Sequence, residues 1–528
     1  MASEAAQPAR APARDDLHPP ADHPRAGQDG QDDWDGRGGW DGRPRPLSEH
    51  AAIEHIASGC LIPGRPVRTG VELEWLVRRP DDPGAAVPAA AGWAALAGLR
   101  AAERLPGGGR LTQEPGGQVE ISSAPATSLA GCVAATRADL DRVRAALADA
   151  GLAAVGLGLD PYRATPPLLD HPRYRAMDHY LQRQGPVGRL VMRGTAAVQI
   201  SLDAGDETAG PGGFRARWAL AHRLGPVLTA AFANSPLWLG RPTGWRSTRQ
   251  ALWARVDPGR TRPPSPEEAD RADPRALWAR YALDASLICL RRTAPAAWTV
   301  PPNRSFRSWL RGPTVAPHAP GIADLDYHLS TLFPPVRPRG WLELRMIDAQ
   351  PGDGWVVPLA VAAALLDDPR AAQAAWRATE PLTGGRELPA LRRWLGAARH
   401  GPADPVLGPV VLDCFAIAEA ALARLPDAGE LRAAVAEFTD RYPARRRCPA
   451  DDQLDALHAP AARPTRAPRA SAPQAHDHRR ARRTTHHPDP ATAPDPATAP
   501  DSPTAPASPD PRGRRARPGR PAAQETPE

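Results

Sequence analysis

The sequence predicts an α+β protein whose antiparallel sheet buries one face and presents acids on the other, with a helical bundle at its C-terminal end. Three observations carry this. Four separated segments alternate aliphatic and polar side chains with the period of two that strands impose. Strand-like text comes first and Ala/Leu-rich helical periodicity fills residues 356–442, an order that favours α+β over a doubly wound fold. Both ends are poor in aliphatic residues and rich in Pro, Gly, Asp and Arg, so the folded part is expected between about 47 and 445, with disordered tails over residues 1–46 and 446–528.

In chain order, residues 67–77 place Val67, Val71, Leu73, Trp75 and Val77 on one face and Glu72 with Glu74 on the other. Residues 110–123 read as a bent strand interrupted by a Pro115-Gly116-Gly117 turn, with Val119 and Ile121 opposing Gln118 and Glu120. An amphipathic helix follows over 130–150, where Val133, Leu140, Val143 and Leu147 recur at helical spacing and Gly151 supplies the C-terminal cap. A strand is expected at 153–159 and a helix at 174–184. In the third polar-faced strand, 195–203, Val198, Ile200 and Leu202 oppose Thr195, Gln199 and Asp203. Helices at 214–234 and 276–283, short strands at 287–290 and 297–300, and a helix at 322–332 lead to the fourth polar-faced strand, 341–347. There Leu342, Leu344 and Met346 oppose Glu343 and Arg345. The bundle segments are 357–366, 371–378, 388–398, 410–424 and 431–438.

The net charge of +7 invites a nucleic-acid reading, but residues 461–528 hold 12 Arg against 7 Asp and Glu, so most of the excess sits in the tail and the core is nearly neutral. Arg479, Arg480, Arg482 and Arg483, and Arg512, Arg514, Arg515 and Arg517, are expected to be solvated rather than to read a nucleic acid specifically. The repeat DPATAP, DPATAP, DSPTAP at 489–506 has the character of a Pro/Ala spacer. The chain contains no lysine, which excludes a GxxxxGK[ST] phosphate loop. Cys60, Cys132, Cys289, Cys414 and Cys448 are widely spaced without a CxxC pair, the pattern of reduced thiols. With neither an export leader nor an apolar run of membrane length, a cytoplasmic protein is expected.

Glu72 and Glu74 on one strand face repel each other, and like charges side by side destabilise a sheet unless something compensates. Magnesium does so with a few carboxylates, waters and substrate phosphates. Glu114 and Glu120 bracket the glycine turn and would deliver acids to the same cleft. The bland alternative, a solvated outer sheet face, weakens as the pattern repeats across four segments. Arg345 shares a face with Glu343, where a planar fork can hold phosphate oxygens; the same alternation also fits a cross-strand ion pair. The loop 244–261 carries Arg246, Arg249, Arg255 and Arg260 among Trp245 and Trp253, suited either to clamping a substrate carboxylate or to a surface helix with snorkelling arginines. Gly107-Gly108-Gly109 and Gly156-Leu157-Gly158 read as turns, and His476, His478, His486 and His487 as an incidental cluster. HExxH and GxSxG are absent.

The segments TGVELEWLV (69–77), EPGGQVEISS (114–123), RGTAAVQISLD (193–203), ANSPLWLGRPTGWRSTRQALWARVDPGRT (233–261) and YHLSTLFPPVRPRGWLELRMIDAQP (327–351) resemble, in order, the motif set of ATP-dependent glutamate-cysteine ligases of the plant and bacterial type. The likeness is greatest to the actinobacterial branch that serves ergothioneine biosynthesis. It implies a glutamine synthetase-like antiparallel sheet whose concave face binds ATP with two or three Mg²⁺ ions. It further implies L-glutamate and L-cysteine as substrates and γ-glutamyl phosphate as intermediate. By this resemblance Glu72, Glu74, Glu114, Glu120 and Glu343 match metal-binding acids. Arg345 matches an arginine on the transferred phosphate, with Glu343 beside it in the catalytic pair. Arg249 resembles a substrate grip, and Gln199 and Arg260 are further site candidates.

Overall fold

The computed structural model describes residues 46–458, apart from 66, 164–168, 294–295, 313–314 and 316–317 and the side chains at 89 and 186. The expected tails, with the hexapeptide repeat, the arginine clusters and the histidine cluster, lie outside the described residues, except for 46 and 446–458.

Among the described residues nine strands are formed: β1 (Thr69–Arg78), β2 (Arg110–Gln113), β3 (Val119–Ser122), β4 (Ala153–Val155), β5 (Ala197–Asp203), β6 (Leu237–Trp238), β7 (Arg241–Pro242), β8 (Val336–Pro338) and β9 (Trp341–Asp348). Seven of them make one sheet in the order β2-β3-β1-β5-β9-β8, with β4 pairing on β1, and every pairing is antiparallel. The bent strand at 110–123 is a hairpin of β2 and β3. Its turn closes by Gly117 N donating to Glu114 O at 2.8 Å, and Gly117 takes φ +88°, a conformation glycine adopts without strain. The strands expected at 287–290 and 297–300 shrink to one bridge between Cys289 and Thr299.

The edge strand β8 escaped the sequence reading. Pro335 and Pro338 argue against a central strand, and proline is tolerated only where no ladder partner is needed. β8 pairs with β9 alone, so its free side meets that condition.

The apolar sides of β1, β3, β5 and β9 contribute Val71, Leu73, Trp75, Val119, Ile121, Val198, Ile200, Leu202, Leu342 and Leu344 to the main core, as side-chain parity requires. Helices pack on that side: Leu129–Asp149 against β1, Phe214–Ala231 against β9 and Val356–Asp367 against β5. Helix Val356–Asp367 buries every residue from Val356 to Leu366, which explains why it is apolar all round. It is the centre of the bundle completed by Pro369–Ala378, Leu391–His400, Leu407–Leu422 and Gly429–Arg441. One further helix, Pro449–His458, follows the boundary expected at 445. Cys448 and Ala450 pack with Ala233, and Gln453 Nε2 donates to Asn234 Oδ1 at 2.6 Å, so the folded part runs to His458. Among the described residues no single helix is long and apolar enough to cross a membrane.

Candidate functional site

The polar face of the sheet forms the floor of a cleft of about 1270 Å³. Strand register decides who meets whom on it. Glu74 lies directly opposite Glu120 of β3, and Glu72 lies between Ser122 of β3 and Gln199 of β5. Glu120 in turn faces Thr112 of β2, whose hydroxyl donates to its Oε1 at 2.7 Å. Glu114, just after β2, lines the same cleft. On the far side of β5, Glu343 of β9 faces Arg337 of β8, and Arg345 and Arg339 line the cleft beside Arg337.

The floor therefore has an acidic half on β2, β3 and β1 and a basic half on β9 and β8. They meet at Gln199, whose amide suits the boundary. Its Nε2 donates to Glu74 Oε1 at 2.8 Å, while its Oε1 accepts from Arg345 Nη1. An amide can serve an anion with one end and a cation with the other, which no charged side chain can do.

Electrostatics sharpen the division. Burial, then the charges of Glu343 and Glu120, push the Glu72 carboxyl up to about 8. Burial also raises Glu74, against the pull of Arg249 and Arg345. Glu343 is buried more deeply still, but there the opposition of burial is overcome by Arg337, Arg345 and Arg339, which hold its carboxyl at about 2. The carboxyls without a counter-charge are thus on the acidic half, where burial and mutual repulsion favour their protonated form until a cation compensates them. Among the described residues no three acid, histidine or cysteine side chains converge into a ready-made metal cage. Magnesium does not need one, because it keeps waters and takes substrate phosphates as ligands.

Three candidates from the sequence take different places. Glu343 does not present free oxygens as a metal ligand would. Arg337 Nε and Nη2 donate to its two oxygens, the latter at 2.9 Å, and Arg345 Nη1 donates to Oε1 at 2.9 Å. It is the counter-charge of the basic half, and the cross-strand ion pair is real. Arg249 reaches the cleft wall, but its Nη2 donates to Arg345 O at 2.9 Å and its Nη1 to Ile347 O at 3.4 Å, so it grips the backbone of β9 rather than offering a fork to substrate. Arg260 is buried away from the cleft lining. It pairs with Asp257 at 3.0 Å and donates to Thr331 and to the Ser286 carbonyl, tying loops together because a buried guanidinium needs its donors filled.

Arg337 and Arg339 went unassigned in the sequence. Their signal was there: Val336 and Pro338 alternate with Arg337 and Arg339 at strand parity, and only the prolines masked it. A further part of the cleft lining also emerges only in three dimensions. It brings together His171, Arg173, Tyr174, Arg291, Tyr327 and Phe333. Arg173 and Arg291 both lie against the Tyr327 ring, at 5.0 and 4.8 Å.

The two glycine motifs are close-approach sites. Gly107–Gly109 wraps the Asp139 carboxylate, with Gly109 N donating to Oδ2 at 2.9 Å, and Gly108 has φ +86°. A Cβ on Gly156 would fall 1.9 Å from Gln350 O, and one on Gly158 would fall 2.4 Å from Asp348 Cγ.

Residues 68–481 match glutamate-cysteine ligase family 2. The glutamate-cysteine ligase EgtA of Mycobacterium tuberculosis is 39% identical over 414 residues, which span 77% of this chain and 89% of that protein. The chloroplastic glutamate-cysteine ligase of Arabidopsis thaliana is 33% identical over 246 residues, 46% of each chain. A solved glutamate-cysteine ligase from Francisella tularensis, in complex with AMP, aligns with TM-score 0.44 and 11% identity over 75% of this chain and 86% of that one. With a match across more than half its length, placed over the strands that carry the acid and arginine rows, the chain belongs to glutamate-cysteine ligase family 2.

Proposed function

We propose that this chain joins the γ-carboxylate of L-glutamate to the amine of L-cysteine in an ATP-dependent reaction. The observation that carries the reading is the opposition of acids and arginines across Gln199 on one sheet face that floors a deep cleft. Phosphoryl transfer needs both: a place for metal-bound triphosphate and fixed cations for the charge of the transferred group.

A γ-carboxylate oxygen of glutamate attacks the γ-phosphorus, the bond to the ADP oxygen breaks, and γ-glutamyl phosphate forms. The cysteine amine then attacks the acyl carbon, phosphate leaves, and the amine loses a proton. Arg345, which lines the cleft at the boundary, would hold the transferred phosphoryl group, with Arg337 and Arg339 extending the cationic surface. Glu343 holds Arg345 and Arg337 in orientation. Glu72, Glu74, Glu114 and Glu120 would hold two or three Mg²⁺ ions along the acidic half. Bound there, magnesium would neutralise the triphosphate and draw electron density from the phosphoryl group. Gln199 fixes Glu74 and Arg345 relative to each other, so that acid and base sides keep their spacing.

The five cysteines are buried and free of disulfides, which supports a reducing, cytoplasmic setting for this chemistry. The resemblance in the motifs points to ergothioneine biosynthesis as the use of the product. The test is ADP formation by the purified chain with ATP, Mg²⁺, glutamate and cysteine, with mass analysis of the product. ADP that requires both amino acids, together with γ-glutamylcysteine, supports the reading. ADP formed only with another amine in place of cysteine would assign a related ligase. No ADP with any amino-acid pair would leave a non-catalytic scaffold.

A further inference from the structure

We propose that Asp348 is a positioning residue for phosphoryl transfer, acting through Arg249 to fix the bulge of β9 and hence the reach of Arg345. The inference rests on the ligase reading above.

The bulge follows from what β9 must bury. Leu344 pairs with Ile200 and Ile347 with Val198, so both sit on the apolar face although they are three residues apart. Strict alternation forbids that. One extra residue has to be absorbed, and Arg345 and Met346 together oppose Gln199. An unpinned bulge would let the strand slip and carry the arginine with it.

Arg249 pins it. Its fork takes the carbonyls of Arg345 and Ile347, one on each side of the extra residue, so the planar guanidinium sets their separation. What holds Arg249 is the network around Asp348. The Asp348 carboxylate accepts from Asn234 N at 2.9 Å, Ser235 Oγ at 2.7 Å and Ser247 Oγ at 2.9 Å. Its Oδ1 stands 3.7 Å from Arg249 Nη1, and Ser235 Oγ also accepts from Arg249 N at 3.1 Å. Three donors therefore lock a buried anion, and the anion and Ser235 together locate the arginine at head and backbone.

The surrounding chain has made room for this group. Gly158 lies so close that its Cβ would strike the Asp348 carboxylate carbon, and Gly158 N donates to Asn234 O at 3.1 Å on the same turn. The Gly156-Leu157-Gly158 motif thus serves the Asp348 network and not a nucleotide. Asp348 is absent from the cleft lining and acts only through its neighbours.

The experiment compares Asp348→Asn, Arg249→Lys, Arg345→Ala and the double variant Asp348→Asn/Arg345→Ala in the full-length chain. It reads kcat, the KM for ATP and each amino acid, and the melting temperature. Turnover of wild type to γ-glutamylcysteine tests the ligase reading by itself; the variants then test the positioning. Asp348→Asn and Arg249→Lys are each expected to lower kcat about tenfold to a hundredfold, the scale of a misplaced catalytic group, with the KM for ATP nearly unchanged. The double variant should be no slower than Arg345→Ala alone, because Asp348 works only through that arginine. If Asp348→Asn does not fold, Arg249→Lys combined with Arg345→Ala makes the same comparison, since lysine keeps the charge beside Asp348 but not the fork. Wild-type kcat in Asp348→Asn or in Arg249→Lys would overturn the proposal. So would a double variant in which each loss multiplies in full, the result expected of a purely structural residue.

Discussion

Glu72 gives the sharpest test of the acidic half, because its titration should change when a cation binds. Without a cation, burial and the nearby Glu343 and Glu120 raise its carboxyl from an ordinary 4.5 to about 8. The folded protein then binds this proton more tightly than the unfolded chain does. The associated stability is fully present below about pH 4.5 and is lost as pH rises through about 8. At about 1.4 kcal/mol per unit the loss approaches ~4 kcal/mol by pH 8, an upper bound for a half-buried side chain at an open cleft. Magnesium needs the ionised carboxylate and removes the penalty. Urea unfolding from pH 5.5 to 8.5, in EDTA and in excess Mg²⁺, should therefore show a metal-induced stabilisation that grows with pH. In Glu72→Gln the EDTA curve should lose this part of its slope, and the variant should be the more stable protein at pH 8. Calorimetric Mg²⁺ titration near pH 6.5 should release more protons from wild type than from the variant, the difference being the Glu72 proton. A metal effect independent of pH, or the same slope in both proteins, would refute the reasoning.

Replacing Glu343 by Gln leaves Arg337 and Arg345 without their shared anion, and should destabilise the fold by about 3–5 kcal/mol in urea unfolding, the range for breaking a buried ion pair from one side; wild-type stability would show that the pair is dispensable. Arg345→Lys keeps the charge but gives up the planar fork proposed to hold phosphate oxygens, so kcat should fall about tenfold or more while the melting temperature moves little. Arg260→Met should do the reverse: about 3 kcal/mol of stability lost through unsatisfied carbonyls and an unpaired Asp257, with kcat per folded molecule unchanged. Gly158→Ala should cost about 1–3 kcal/mol by overpacking against Asp348 and should lower kcat as well, a combination that steady-state kinetics and melting on one preparation would reveal.

Much of the fold was legible because side-chain parity and helical spacing are local. Val71, Leu73 and Trp75 alternate with Glu72 and Glu74, and the structure buries the first set and lines the cleft with the second. Helix Leu129–Asp149 was expected within a residue at each end, since its apolar repeat and the following Gly151 both mark it. Misses came where a non-local condition decided the outcome. Helix Pro449–His458 has little apolar text of its own and owes its place to contacts with Asn234 and Ala233, more than two hundred residues earlier. The segments around Cys289 and Thr299 have strand composition, but among the described residues they pair with each other at one bridge and join neither sheet.

For the site, parity supplied which residues share a face but not which of them touch. That distinction separates a metal ligand from a counter-ion. Glu72 and Glu343 look alike in the sequence, each flanked by aliphatic residues on a strand, yet their carboxyls are driven in opposite directions. The cause is the order of strands in the sheet. β1 lies between β3 and β5, which bring Glu120 and Gln199, whereas β9 lies beside β8, which brings Arg337. Strand order is set by the connections and by which edges tolerate proline, and neither is written beside the acid itself. The bulge adds a second hidden variable. Alternation across residues 341–347 would send Ile347 to the same face as Arg345. Burying it instead inserts an extra residue, and the carbonyls of Arg345 and Ile347 around it accept from Arg249, which the sequence offered as a substrate clamp and the proposal makes a brace for Arg345. A chemical role in this cleft therefore depends less on residue type than on which partner the sheet order leaves for it.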